Sequence, residues 1–280
     1  MPILLPTTVD EACRAAADHP EADFVAGGTD LMVLVNGGHR RPTEVISLAG
    51  VADLRTWSIG DDDLTIGAGV TFASIASGPL GEALPALAMA ARTVGSPQIR
   101  NAATIGGNLG TGSPAGDSLP VLAALDARVV LRSVDGEREV PLDRFCVGPK
   151  RTDRRPGELI SAVRIARTDG PQEFCKLGTR QAMVISVASV AVVVDRRTRS
   201  VRVGLGAVGP TPLRAPAAEA FAADAIDWSS DSLADRSAID RFAELVTDAA
   251  SPITDHRSTR EYRLHAVGVM AGRALRRMFP

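Results

Sequence analysis

The chain has little of what builds metal centres, membrane spans or nucleic-acid surfaces. Its three cysteines, Cys13, Cys146 and Cys175, lie far apart with no C-x-x-C pair, so they cannot by themselves assemble a zinc site or an iron–sulfur cluster. They read as small buried apolar residues. The four histidines, His19, His39, His256 and His265, are scattered with none at H-x-x-x-H spacing, and no metal site is expected. A formal net charge of −2 over 280 residues leaves no basic excess for binding nucleic acid. The longest aliphatic run, Val184 to Val194, is too short to span a bilayer and is interrupted by Ser186 and Ser189. No basic segment precedes an apolar one at the N-terminus, so a cytoplasmic protein without a transmembrane segment is expected. The length predicts two domains.

Glycine is what the chain does have, and in two places it is concentrated. Ile99 to Leu125 packs five glycines, two prolines and the lone acid Asp117 between apolar segments. Within it, Thr104-Ile105-Gly106-Gly107-Asn108 offers consecutive backbone N–H groups with no Cβ at the glycine pair, as close wrapping of an anion requires. Ala26-Gly27-Gly28-Thr29-Asp30 repeats the glycine pair much earlier. Neither segment is a Walker loop or a spaced G-x-G-x-x-G, yet two such loops could enclose a pyrophosphate between them. Either alone reads equally as an ordinary tight turn. Asp117 fits two readings: an acceptor for a ribose or adenine amine, or simply the N-cap of a helix from Ser118 to Leu125.

Periodicity and turn residues predict an α+β chain. Helices are expected over 11–18, 72–76, 84–93, 239–249 and 258–278, with Thr71 capping the second. Strands are expected over 24–26 and 44–48. Hairpins join 54–59 to 64–68, and 128–133 to 137–141 across Asp135-Gly136. A strand over 159–165 closes the first domain. Beyond Thr168-Asp169-Gly170-Pro171, strands over 174–179, 185–194 and 201–208 predict an antiparallel sheet that combines with the terminal helices into a second, smaller α+β domain.

Five segments occur in order: AGGTDL at 26–31, IRNAATIGGNLGTGSPAGD at 99–117, PGELI at 156–160, FCKLGTRQAMVIS at 174–186 and DHRSTREYR at 255–263. Together they resemble the FAD-binding subunit of the molybdenum hydroxylases, the group that includes xanthine dehydrogenase and the medium subunit of carbon monoxide dehydrogenase. The resemblance spans essentially the whole chain, and TIGGN followed by SPAGD is its specific part. It implies an FAD domain of the vanillyl-alcohol-oxidase type over 1–169, made of two α+β subdomains with the cofactor between them. A family-specific C-terminal domain then covers 170–280. By position it implies that Val25, Ala26, Gly27, Gly28, Thr29, Asp30 and Leu31 form a first pyrophosphate loop, and Thr104, Ile105, Gly106, Gly107 and Asn108 a second. Asp117 would meet the adenosine ribose or nearby polar atoms, Ile160 would pack near the isoalloxazine, and Lys176 would lie beside the flavin. Without the family, Lys176 reads equally as a snorkelling lysine on a strand. Two departures matter: Val94 stands where larger relatives carry an aromatic ring, and Val35-Asn36-Gly37-Gly38 lacks a basic residue found in many relatives.

The resemblance further implies an electron-transfer flavoprotein with no catalytic acid or base of its own. Molybdopterin and [2Fe-2S] clusters would sit on a molybdenum-cofactor subunit and an iron–sulfur subunit, in a dimer of heterotrimers. Electrons would arrive singly from the clusters and leave as pairs to NAD+, a quinone or dioxygen. Two alternatives compete: a self-contained flavin oxidoreductase, for which Tyr262 is the only tyrosine and no histidine candidate presents itself, and a cofactor-free scaffold.

Overall fold

The computed structural model describes residues 2–233, 235 and 237–279. The chain starts with a three-stranded parallel sheet in the order Ile3–Leu4, Val45–Ser47, Asp23–Val25. Thr8 and Glu11 form a capping box that starts the Val9–Asp18 helix, which buries Val9, Ala12, Cys13 and Ala16 on a single stripe. That stripe wedges the helix between the first sheet and the next. The second sheet is antiparallel, in the order Trp57–Ile59, Asp63–Gly67, Leu159–Ala166, Arg128–Ser133, Gly136–Pro141. Its central strand is the last of the five in sequence, so the chain must complete a long helical excursion before the sheet can close.

The third sheet is an antiparallel meander of Gln172–Leu177, Ala188–Asp195, Ser200–Gly206 and Leu213–Arg214. Helices cover both of its faces. Phe174, Ala191 and Val193 join the core beneath the Pro85–Thr93 and Ser118–Ala124 helices, while Val190, Val192, Val203 and Leu205 pack under Pro216–Ala225, Ala238–Ala249 and Arg260–Met278. Every residue of Ala188–Asp195 is buried, which explains why this strand reads as an unbroken apolar run rather than an alternation. The approach is closest at Gly204, where a β-carbon would run into the carbonyl oxygen of Pro120. Among the described residues, no helix is long and apolar enough to cross a membrane.

Three expectations from the sequence are revised. The stretch read as a binding loop ahead of Asp117 contains two short helices, Pro97–Ala102 and Ile105–Thr111, capped by the hydroxyls of Ser96 and Thr104. Leu54 and Arg55 belong to a 3₁₀ turn, Ala52–Arg55, because the edge strand starts only at Trp57. The strand expected from Ile185 begins at Ala188, since Ser186 leaves the ladder for a partner on another element.

Candidate functional site

The first glycine segment hangs from the carboxyl end of the parallel strand Asp23–Val25, where the chain leaves a sheet with its backbone unpaired. A β-carbon at Gly27 would strike the Ala102 carbonyl oxygen, so only glycine lets this segment lie against the Pro97–Ala102 helix. Gly28 adopts φ +69°, a left-handed conformation that glycine reaches without strain. Among the described residues, the N–H groups of Gly27, Gly28, Thr29 and Asp30 donate to no protein acceptor. Val25 and Ala26 lead in half-buried, and Leu31 opens the apolar Leu31–Asn36 helix, which buries none of its residues.

The second glycine segment is built the opposite way. Ile105 N–H donates to the Val70 carbonyl at 3.0 Å, Gly106 to Ala68 at 2.9 Å, and Asn108 to Thr104 at 3.0 Å. The Gly107 N–H donates to the Thr104 hydroxyl at 3.0 Å. Four of the five expected open donors, those of Ile105 to Asn108, are therefore already satisfied, because these residues form a capped first helical turn. Gly106 is a packing glycine: a β-carbon there would lie 2.5 Å from Ala68 Cβ. Gly107 and Gly110 are exposed and leave a helix edge without side chains. Gly27 contacts Ala102 and Ala103, immediately before Thr104, so the fold brings the two glycine segments side by side.

Asp117 does not cap the following helix. Its backbone is already helical, its carboxylate makes no cap hydrogen bond, and it turns instead toward the third sheet. Lys176 Nζ donates to its Oδ2 at 2.5 Å and Ser186 Oγ to its Oδ1 at 2.5 Å, with the two ion-paired side chains only 9% and 7% exposed. Lys176 also donates to the Thr93 carbonyl at 3.2 Å. An ammonium has three donors, so one remains for a further acceptor. The Thr93 hydroxyl has one proton and two acceptors in reach, the Ala90 carbonyl at 2.8 Å and Asp117 Oδ2 at 3.2 Å. Lys176 is thus no surface lysine, although it is one of only two in the chain, with Lys150.

Ile160 sits at a bulge: it pairs with Leu131 while Ala162 pairs with the adjacent Val130, which leaves Ser161 out of register. The Ile160 side chain passes below Gly110, where a β-carbon would lie 3.5 Å from its Cδ1. Asn108 accepts the Ser118 hydroxyl at 2.7 Å, joining the second glycine segment to Asp117 through its neighbour. In the same PGELI segment, Glu158 takes two hydrogen bonds from the Arg138 guanidinium, at 2.6 and 2.8 Å, and one from the Arg155 N–H at 2.8 Å. Burial raises the Glu158 carboxyl, but these donors outweigh it and hold it below its usual range. The Arg154 guanidinium lies 5.3 Å from the centre of the Phe24 ring and donates to the Glu158 carbonyl at 2.8 Å, tying the strand ahead of the first glycine segment to the second sheet. Burial pushes Arg154 down. Val94 ends the Pro85–Thr93 helix and accepts from Arg100 at 3.1 Å, so its carbonyl is engaged.

Ser186 and Thr93 were not singled out from the sequence. The available signal was a serine inside an otherwise β-branched apolar run, which is costly to bury unless the hydroxyl has a partner.

The FAD binding domain of molybdopterin dehydrogenases matches residues 1–168, and the C-terminal domain of the CO dehydrogenase flavoprotein matches residues 173–278. A putative xanthine dehydrogenase FAD-binding subunit of Escherichia coli strain K12 is 29% identical over 278 residues, covering 96% of this chain and 92% of that protein. The nicotinate dehydrogenase FAD-subunit of Eubacterium barkeri is 39% identical over 201 residues, 68% of each. Among solved structures, a chain of reconstituted CO dehydrogenase from Oligotropha carboxidovorans superposes with a TM-score of 0.89 at 27% identity, covering 99% of this chain and 97% of that one. With an α+β core of antiparallel sheets and two glycine segments side by side, the chain belongs to the family of FAD-binding flavoprotein subunits of the molybdopterin dehydrogenases.

Proposed function

We propose that this chain is the flavoprotein subunit of a heteromeric molybdenum hydroxylase, receiving electrons from an iron–sulfur subunit whose own source is a molybdenum-cofactor subunit. The observation that carries the reading is the contact of the two glycine segments, one with free amides and the other with a bare helix edge. The chemistry FAD supplies when bound is the exchange of single electrons on one side and electron pairs on the other. The residues present fit it. The amides of Gly27 to Asp30 would hold the diphosphate, with Val25, Ala26 and Leu31 fixing the ends of that loop. Thr104 to Asn108 would form the facing wall, with Gly107 admitting the ligand backbone-close. Ile160 would line the apolar side below Gly110. Lys176 keeps one donor for an acceptor atom of the ring system, and Asp117 orients that ammonium.

In this reading the protein supplies position and potential, with no proton transfer of its own. Electrons would pass on to NAD+, a quinone or dioxygen. A heterotrimer paired about a two-fold axis is the assembly proposed, working in the cytoplasm. The test is purification of the tagged full chain from cells that carry its neighbouring genes. The expected result is a yellow complex with FAD bleached by dithionite and two further chains, one bearing spaced cysteines. A colourless protein would overturn the flavin reading and leave the scaffold alternative. A yellow protein that purifies alone and turns over its own substrate would favour a self-contained oxidoreductase.

A further inference from the structure

The DHRSTREYR segment at 255–263 contains the most deeply buried arginine of the ion pairs described, Arg263, whose side chain is 4% exposed. Its guanidinium reaches three acceptors. One Nη donates to the Val187 carbonyl at 2.6 Å and the Ala207 carbonyl at 2.9 Å, and the other donates to Asp255 Oδ1 at 2.6 Å. Asp255 is itself fixed by the N–H groups of Arg257 at 2.9 Å and Ser258 at 3.2 Å. Arg263 Nε is buried and finds no hydrogen-bond partner among the described residues. Such an arrangement costs desolvation, which the hydrogen bonds to Asp255 and the two backbone carbonyls offset.

Both carbonyls are adjacent to the Asp117 cluster. Val187 follows Ser186, whose hydroxyl holds Asp117, and the Val187 N–H closes on the Leu177 carbonyl at 2.8 Å beside Lys176. Ala207 has φ +59°, an uncommon conformation for a residue with a β-carbon. Its N–H donates to the Pro114 carbonyl at 2.8 Å, three residues before Asp117. One guanidinium therefore grips the chain at the two points from which the carboxylate is approached, on the side of Ser186 and on the side of its own loop.

We propose that Arg263, anchored by Asp255, is a positioning residue that holds Ser186 and the 114–117 loop so that Asp117 stays locked on Lys176. Its importance for the flavin rests on the reading above, which places Lys176 beside the ring; the lock itself does not. Among the described residues, Arg263 makes no hydrogen bond or ion pair with Lys176 or the glycine segments. It acts through the backbone.

The two-lysine composition allows a direct test on the full chain. FAD-free protein is treated with N-hydroxysuccinimidyl acetate, and acetylation at Lys176 is followed by peptide mass mapping against the exposed Lys150 as internal reference. In the unsubstituted chain Lys176 is protected relative to Lys150. Asp255→Asn and Arg263→Gln raise the Lys176 to Lys150 ratio by about tenfold or more, as local closure is lost. Ser186→Ala raises it as well and adds little to either. Arg263→Lys restores part of the protection. Arg277→Ala, which removes an arginine of the same helix and its ion pair with Glu173 on the Gln172–Leu177 strand, leaves the ratio unchanged. An unchanged ratio in folded Asp255→Asn would overturn the proposal, as would a rise that merely tracks the loss of global stability. Repeating the labelling with saturating FAD separates the two readings: if added FAD leaves Lys176 reactivity unaltered in every variant, the flavin placement fails while the lock stands or falls on the ratios alone.

Discussion

The two glycine pairs are alike as strings, each with a threonine within two residues, and opposite as physical objects. At Gly27-Gly28 the glycines free a backbone: one removes a clash with Ala102, the other permits a left-handed turn, and four successive N–H groups find no acceptor among the described residues. At Gly106-Gly107 they free a surface: one lets the helix start press on Ala68, the other keeps the helix edge bare, while the amides are already spent. Donor and wall are different jobs. The same dipeptide does both because glycine relaxes conformational limits and also removes volume.

That contrast can be broken by substitution. Gly27→Val places side-chain atoms on a backbone carbonyl that cannot move aside, so flavin is lost altogether and thermal unfolding shifts down strongly, as scanning calorimetry of the purified variant will record. Gly107→Leu keeps the fold, since its position is exposed and the nearest atom is a side-chain oxygen at 3.1 Å, but weakens FAD in a fluorescence titration. If both variants lose stability alike, the distinction between donor and wall fails.

The ion pair between the glycine-bearing domain and the third sheet sharpens the picture further. Lys176→Met leaves Asp117 buried and uncompensated, at a cost of about 3–5 kcal/mol in denaturant unfolding. Asp117→Leu combined with Lys176→Met recovers most of that loss, because two apolar side chains need no partner. Thr104→Ala removes only the cap of the second segment and costs about 1 kcal/mol, without any counterpart in the first segment, where Asp30 precedes the Leu31–Asn36 helix but its side chain makes no cap hydrogen bond.

Acid has the mildest effect expected. Burial raises the Asp255 carboxyl, but hydrogen bonds from the Arg257 N–H and the Arg263 guanidinium outweigh it and hold it down at about 2, against an ordinary value of 3.8. A depressed carboxyl contributes stability that is fully present above the unfolded value and is lost as pH falls from 3.8 through about 2. Urea midpoints measured across that window fall less steeply in Asp255→Asn than in the parent chain.

Much of this was legible in the sequence. The strand order could not be read from periodicity, but the α+β class, the capped Phe72–Ile75 helix and the hairpin over Asp135-Gly136 follow from turn and cap chemistry alone. Asp117 was ambiguous because an acid before a helix has the same sequence signature whether it caps the helix or turns away from it. What decides is a lysine on a strand far along the chain and a serine that abandons its ladder, and no local pattern encodes either. The Ile105–Thr111 helix before Asp117 was hidden by its glycines, which lower helix propensity while serving the packing that makes the helix necessary. Arg263 was visible only as part of a family-like string. Its role depends on two backbone carbonyls, which sequence does not display.

The account depends most on the claim that the first glycine segment donates and the second does not. Residue-resolved amide hydrogen exchange with and without saturating FAD tests this directly. The predicted result is fast exchange at Gly27, Gly28, Thr29 and Asp30 in the FAD-free chain, slowed when FAD is added, with Gly106 and Asn108 slow in both states. Equal protection of the two segments without FAD, or no slowing at Gly27 to Asp30 on its addition, would contradict it.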